Sequence, residues 1–106
     1  MKYEYLFKLE KAVDDFICAA NNRGLQCRRY YHEEPFHENI KVRRLQVWLP
    51  NSDHFCVDII ATYCEKTRQI KWSIVDKDGN NDLGYIEVDD VVTVVIFFIG
   101  EQIDKS

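Results

Sequence analysis

The spacing of apolar residues changes once along the chain, and this change limits the folds that the chain can adopt. Between residues 4 and 22, apolar side chains recur at steps of three and four, which is the period of an amphipathic helix. Between residues 25 and 75, they alternate with polar side chains in short segments, which is the period of half-buried strands. A helix followed by a series of strands predicts an α+β protein built around an antiparallel sheet.

The first helix has the most regular pattern and a recognisable end. Its apolar stripe consists of Leu6, Leu9, Val13, Phe16, Ile17 and Ala20. Gly24 follows closely and can take the left-handed backbone conformation that a Cβ atom disfavours, which is typical of the residue after a helix. We therefore predict a helix over residues 4–22.

Four segments with alternating apolar and polar residues come next. They are residues 25–31, 40–49, 54–64 and 69–75. The last two are joined by residues 65–68, a short polar turn that suits an antiparallel hairpin. A second turn over residues 76–82 precedes residues 83–88, a candidate fifth strand at the sheet edge.

The last apolar segment, residues 91–99, has features of both a strand and a helix. Its many β-branched residues favour a buried strand. In contrast, Val95 and Ile99 have helical spacing, and Asp89 and Asp90 stand where a helix N-cap would be. We therefore predict a helix that ends the chain.

Together these elements predict an N-terminal helix, a four- to five-stranded antiparallel sheet and a C-terminal helix, with the helices on one face of the sheet. A chain of 106 residues suits a single compact domain, residues 1–106, and is too short for a TIM barrel. Its 13% of aromatic residues, with only four Gly and two Pro, exclude a disordered or low-complexity chain. Its longest apolar run is also far shorter than the roughly 20 residues of a membrane helix.

The N-terminal residues and the cysteines predict a cytoplasmic protein. The first residues are charged throughout and lack the apolar core of a signal peptide. The four cysteines, Cys18, Cys27, Cys56 and Cys64, include no pair with CxxC spacing. We expect all four to be reduced thiols.

The net charge of −4 argues against a protein that binds nucleic acid by bulk electrostatics, since such domains are usually basic. The charge is unevenly distributed, because residues 23–44 carry six basic and three acidic residues. Residues 45–106 carry five basic and eleven acidic residues. We therefore expect a molecule with two electrically different sides.

One face of the predicted sheet is the best candidate for a functional surface. Alternation along the strands places on it Arg28, Tyr30, Arg44, Trp48, Asp58, Ile60, Thr62 and Lys71. Aromatic and Arg side chains are enriched at the centres of protein interfaces. The predicted partner-binding residues are Arg28, Tyr30, Arg44, Trp48 and Lys71. One alternative is an ordinary solvated sheet face. The other is a face that binds single-stranded nucleic acid, with its Arg residues contacting phosphates and its aromatic residues stacking on bases.

The segment that follows the fourth strand resembles an EF-hand calcium loop. Asp76, Asp78, Asn80 and Glu87 occupy the positions of four oxygen ligands. Asn81 stands where an EF-hand has Gly, and the preceding residues have the pattern of a strand rather than of an entering helix. A polar hairpin turn is the alternative explanation.

Three further patterns have simpler explanations than catalysis or metal binding. His32 and His37 lie in the segment HEEPFHE, but their spacing and the intervening proline do not suit a helical zinc motif, even with His54 as a third ligand. Asp58 with Glu65 and Lys66 resembles a metal-nuclease pattern, but strand carboxylates and charged turns are common. Cys27 or Cys64 beside a His is conceivable, although buried cysteines usually act as small apolar residues. We predict no enzyme activity and no cofactor.

The C-terminal apolar segment predicts a second contact. A single helix with Val91, Val94, Phe97 and Phe98 is apolar on nearly every side, and a small domain can hardly enclose all of it. We expect a homodimer, or another partner, to cover this surface. The sequence thus predicts a small acidic interaction protein that occludes a protein partner, as adaptors, modulators and inhibitors of the phage or mobile-element type do.

Overall fold

A computed structural model describes residues 4–30, 41–50, 56–76 and 79–104 of the chain. The elements are α1 (Glu4–Asn22), β1 (Gln26–Arg29), β2 (Val42–Trp48), β3 (Cys56–Cys64), β4 (Gln69–Asp76), β5 (Gly79–Gly84) and α2 (Val88–Asp104). The five strands form one antiparallel sheet in the order β1-β2-β3-β4-β5. Both helices pack against the sheet, so the predicted α+β architecture is confirmed.

Helix α1 ends as its sequence predicts. The Leu25 N–H donates to the carbonyl of Ala20 at 2.9 Å, and the Gly24 N–H donates to the carbonyl of Asn21 at 3.1 Å. Gly24 has a φ of 87°, in the region where side chains are disfavoured. These bonds satisfy carbonyls at the helix end and turn the chain directly into β1.

The core lies between the two helices and the inner face of the sheet, which is the face turned toward them. At its centre, Ile59 of β3 lies opposite Leu45 of β2 on one side and Ile74 of β4 on the other. Trp72 packs against Phe16 of α1 with ring centroids 5.5 Å apart. All five side chains are at most 1% exposed, so the strand alternation predicted from the sequence is confirmed across the central strands.

The fifth strand differs from its prediction. It spans Gly79–Gly84 rather than residues 83–88, and Asp76 of β4 lies opposite Gly79. The predicted turn over residues 76–82 is therefore mostly strand. Polar residues with low strand propensity are tolerated because β5 is an edge strand and most of its side chains face solvent.

Helix α2 confirms the helical interpretation but begins earlier than predicted. The Val91 N–H donates to the Glu87 carbonyl at 3.0 Å, so Asp89 and Asp90 lie in the first turn and not at the N-cap. Acidic residues in a first turn interact favourably with the helix dipole. No helix in the described part of the chain is long and apolar enough to cross a bilayer.

Candidate interaction face

The five predicted partner-binding residues lie on one side of the sheet, which we call the outer face because it is turned away from both helices. These residues are Arg28, Tyr30, Arg44, Trp48 and Lys71. Tyr30 lies one residue beyond β1 and continues its pairing, since its N–H donates to the Arg44 carbonyl at 3.1 Å. Within the described ranges, no element covers this face. Its other side chains include Gln46, Asp58, Ile60, Thr62, Ser73, Val75 and Asp82.

Asp58 organises the centre of the outer face. Its Oδ2 accepts hydrogen bonds from Nε of Arg44 at 3.0 Å and from Nη2 of the same guanidinium, and its Oδ1 accepts one from the Tyr30 hydroxyl at 2.9 Å. The guanidinium also lies 5.2 Å from the centroid of the Tyr30 ring, within cation–π range. These two neighbours use both oxygens of Asp58, and only 18% of its side chain is exposed.

This arrangement shifts the titration of both partners. Hydrogen bonding to Asp58 raises the pKa of Arg44 further above its usual value. Partial burial, followed by the hydrogen bond to Asp58 and its negative charge, raises the pKa of Tyr30. Arg44 therefore stays a cation and Tyr30 a neutral donor at physiological pH, which keeps the cluster intact.

Lys71 also has a carboxylate partner on the outer face. Its Nζ lies 2.8 Å from Oδ2 of Asp82, and this hydrogen bond raises the pKa of Lys71. The same contact, together with the N–H of Gly84 on Oδ1, lowers the pKa of Asp82. The pair joins the edge strand β5 to β4.

Arg28 differs from the other two cations of the outer face. Its Nη2 donates to Oε1 of Gln46 at 3.2 Å, which is a neutral partner. Among the described residues, no carboxylate forms an ion pair with it. Trp48, which is partly buried, lies diagonally across from it on β2, because Gln26 is the residue opposite Trp48.

The basic segment at residues 23–44 is largely neutralised by acidic residues from elsewhere in the chain. Arg29 contacts Glu10 at 2.7 Å and also binds Asp14, and Arg43 contacts Glu10 at 3.0 Å. Burial raises the pKa of Glu10, but hydrogen bonds from the two arginines and their charges outweigh burial and lower it. Lys41 is also bound to Glu65. The net positive charge around residues 23–44 is therefore much smaller in the folded protein than a count of the residues in that segment indicated.

The described residues of the EF-hand-like and nuclease-like patterns are not brought together as a site. Asp76 ends β4 and Asn80 lies on β5, and these two strands pair antiparallel, unlike the single ligand loop of an EF-hand. Asp58 and Glu65 are at opposite ends of a stretch of strand about 20 Å long, and each is bound to its own cation. Lys77 and Asp78 lie outside the described residues, as do the three histidines, His32, His37 and His54.

The cysteines are free thiols, and one of them has a property that the sequence did not indicate. Burial raises the pKa of Cys27 to about 11, in line with the expected small apolar residue. Hydrogen bonds from Tyr85 and Thr67 lower the pKa of Cys64 to about 6. Cys64 is therefore mainly a thiolate at neutral pH. Its only sequence signal was its position directly before the polar turn.

Helix α2 leaves part of its apolar surface exposed. Val91 was expected to be hard to enclose, but it is fully buried because the first turn of α2 packs into the core. Phe97 points outward and is 71% exposed, and it lines a shallow groove with Thr93, Val94 and Phe98. The exposed surface is thus narrower than the sequence indicated and is centred on Phe97.

Comparison with known proteins does not identify a function for this chain. A comparison with models of protein families, with curated proteins and with solved structures gives no match.

Proposed function

We propose that this protein binds a protein partner through the outer face and acts by occluding the partner's working surface, as an adaptor, modulator or inhibitor in the cytoplasm. The observation that carries this proposal is the grouping of Trp48, Tyr30, Arg28 and Arg44 on a sheet face that no described element covers. Trp, Tyr and Arg dominate the binding energy of protein interfaces. The contact between Asp58 and Arg44 holds this part of the surface in one conformation before binding, which reduces the entropy lost on association.

The charges of the outer face favour a protein partner over nucleic acid. Single-stranded nucleic acid is bound by grooves with free cations that follow the phosphate backbone. Two of the three cations on the outer face, Arg44 and Lys71, already hold the carboxylates of Asp58 and Asp82. Both carboxylates would repel a phosphate chain. We also propose binding rather than catalysis, since both oxygens of Asp58 are engaged by neighbouring side chains.

The exposed ring of Phe97 supports a second contact, between the α2 helices of two copies of the chain. A large aromatic side chain that is 71% exposed gains free energy when a neighbouring surface covers it. The groove beside it, lined by Val94 and Phe98, offers a place for the Phe97 ring of a second copy. This contact is on the helical side of the molecule and leaves the outer face free.

Quantitative affinity capture from the native host tests the binding function. The bait is the wild-type protein, the outer-face variant Arg44→Glu/Trp48→Ala, or the control Lys11→Glu/Phe7→Ala. The control makes the same kinds of change at exposed positions of α1. We expect a protein recovered with the wild type and with the control to be strongly depleted with the outer-face variant.

Two checks make this result decisive. The single variant Trp48→Ala retains the Arg44–Asp58 pair, so it should lose the same protein without a change in folding. If every captured protein is retained by both outer-face variants, the proposal is wrong. If instead a single-stranded oligonucleotide binds to the wild type with steep salt dependence and not to the variants, the nucleic-acid function replaces it.

A further inference from the structure

Among the described residues of the outer face, one cation has no anionic partner. Its described residues include three cations, Arg28, Arg44 and Lys71, and two carboxylates, Asp58 and Asp82. Each carboxylate is bound to one of the last two cations. The Cys64 thiol, two residues beyond Thr62 on β3, acts on Lys71, so Arg28 is the one described cation of the outer face without an anionic partner.

Arg28 is also arranged to receive a ligand. Its side chain is exposed on the edge strand β1, and one of its N–H groups binds Gln46, which holds the guanidinium over the sheet. Arginine has five N–H donors in a planar fork, so the remaining donors can bind both oxygens of a carboxylate. Tyr30 lies two residues further along the same face, and Trp48 lies diagonally across on β2. A group bound at Arg28 would thus have an aromatic ring on either side.

Resting on the proposed function, we propose that the partner supplies an Asp or Glu side chain to Arg28, and that this contact selects the partner. The complementary ligand is a carboxylate carried by a protein segment that is otherwise apolar or neutral, because the neighbouring aromatic rings need apolar contact. A strongly polyanionic segment is disfavoured, since Asp58 lies on the same face as Arg28, two strands away. Arg44 and Lys71 keep their own carboxylates in the complex.

A displayed library of random peptides serves as the probe. Peptides are selected for binding to the wild-type protein and, in parallel, to Arg28→Gln. We expect the wild-type pool to be enriched in a single Asp or Glu beside apolar residues, and the Arg28→Gln pool to lack this enrichment. Replacing that acidic residue by Gln or Asn should weaken binding to the wild type about tenfold and leave binding to Arg28→Gln unchanged, as expected for a charge-assisted hydrogen bond.

Three variants in addition to Arg28→Gln separate the possible outcomes. Arg68→Gln removes an exposed arginine in the turn between β3 and β4, away from the outer face, and should bind the selected peptides as the wild type does. Arg28→Lys should bind them more weakly, because an ammonium group lacks the planar fork. If the peptides require Trp48 but bind Arg28→Gln with wild-type affinity, this inference is wrong and the proposed function stands. If no selected peptide loses affinity for Trp48→Ala, both are wrong.

Discussion

Replacing Asp58 by asparagine should destabilise the protein by about 1–2 kcal/mol, although the residue lies on a face that no described element covers. The change keeps the shape of the side chain but removes the charge that receives two hydrogen bonds from Arg44 and one from Tyr30. Hydrogen bonds to charged groups contribute about 1.5–3 kcal/mol, whereas exposed ion pairs contribute about 0.2–1 kcal/mol. The carboxylate is 18% exposed and the arginine 42% exposed, so the expected loss of about 1–2 kcal/mol runs from the top of the lower range into the bottom of the upper one.

Urea unfolding followed by tryptophan fluorescence measures this loss. A destabilisation of this size lowers the urea midpoint by roughly 0.5–1 M, given the slopes typical of small proteins. The matched control is Asp15→Asn, which breaks an exposed pair with Lys11 at 3.2 Å and should cost less than about 0.5 kcal/mol. Arg44→Gln completes a double-mutant cycle with Asp58→Asn, and the coupling energy should be about 1 kcal/mol. An equal midpoint for Asp58→Asn and Asp15→Asn, or a coupling near zero, would refute the assignment of Asp58 as the organising group.

Three other predictions concern separate parts of the molecule. Because the pKa of Glu10 is lowered in the folded protein, its contribution to the free energy of unfolding is complete above the ordinary pKa of 4.5 and is lost as the pH falls below it. At pH 7, Glu10→Gln should lower the free energy of unfolding by less than about 1 kcal/mol. This difference from the wild type should shrink in urea titrations at lower pH. Cys64 has a pKa of about 6 and Cys27 a pKa of about 11, so Cys64 should react much faster with iodoacetamide at neutral pH. Equal rates, measured by mass spectrometry, would contradict the hydrogen bonds from Tyr85 and Thr67 to Cys64. Phe97→Asp should leave the free energy of unfolding within about 0.5 kcal/mol of the wild type but weaken self-association in sedimentation equilibrium, and an unchanged oligomeric state would rule out the α2 contact.

The sequence was most informative where local rules decide the structure. The residues of α1 bury one stripe and end at Gly24, because helix period and left-handed glycine are properties of a few neighbouring residues. The inner and outer faces of β2 and β3 followed from alternation alone, since a strand in a half-buried sheet has only two orientations. The outer face and its five named residues were therefore predictable before the strands were paired.

Two element boundaries differ from their predictions. Gly79–Gly84 has poor strand propensity, and it forms β5 because it pairs antiparallel with the edge of β4. The start of α2 was placed too late because two aspartates resemble an N-cap, whereas the carbonyl of Glu87 accepts the first bond. Local propensity gave no information on either contact.

A count of charges along the chain also could not predict which basic residues pair with which acidic residues. Arg43 is 33 residues from Glu10, and Arg44 is 14 residues from Asp58, so a sum over residues 23–44 misses both acids. The low pKa of Cys64 similarly depends on Tyr85, which reaches it across the sheet. Once these pairs are assigned, the basic segment at residues 23–44 is mostly compensated, and Arg28 is the one described cation of the outer face without an anionic partner.

Side-chain footprinting by hydroxyl radicals shows whether the partner covers the outer face. The chain provides aromatic reporters on both sides: Trp48 and Tyr30 on the outer face, and Phe7 and Phe97 on the helices, which are 76% and 71% exposed. In the complex with the captured partner, we expect the oxidation of Trp48 and Tyr30 to slow while the oxidation of Phe7 and Phe97 is unchanged. Protection of the two phenylalanines with Trp48 and Tyr30 still fully reactive would show that the partner binds the helical side and not the outer face.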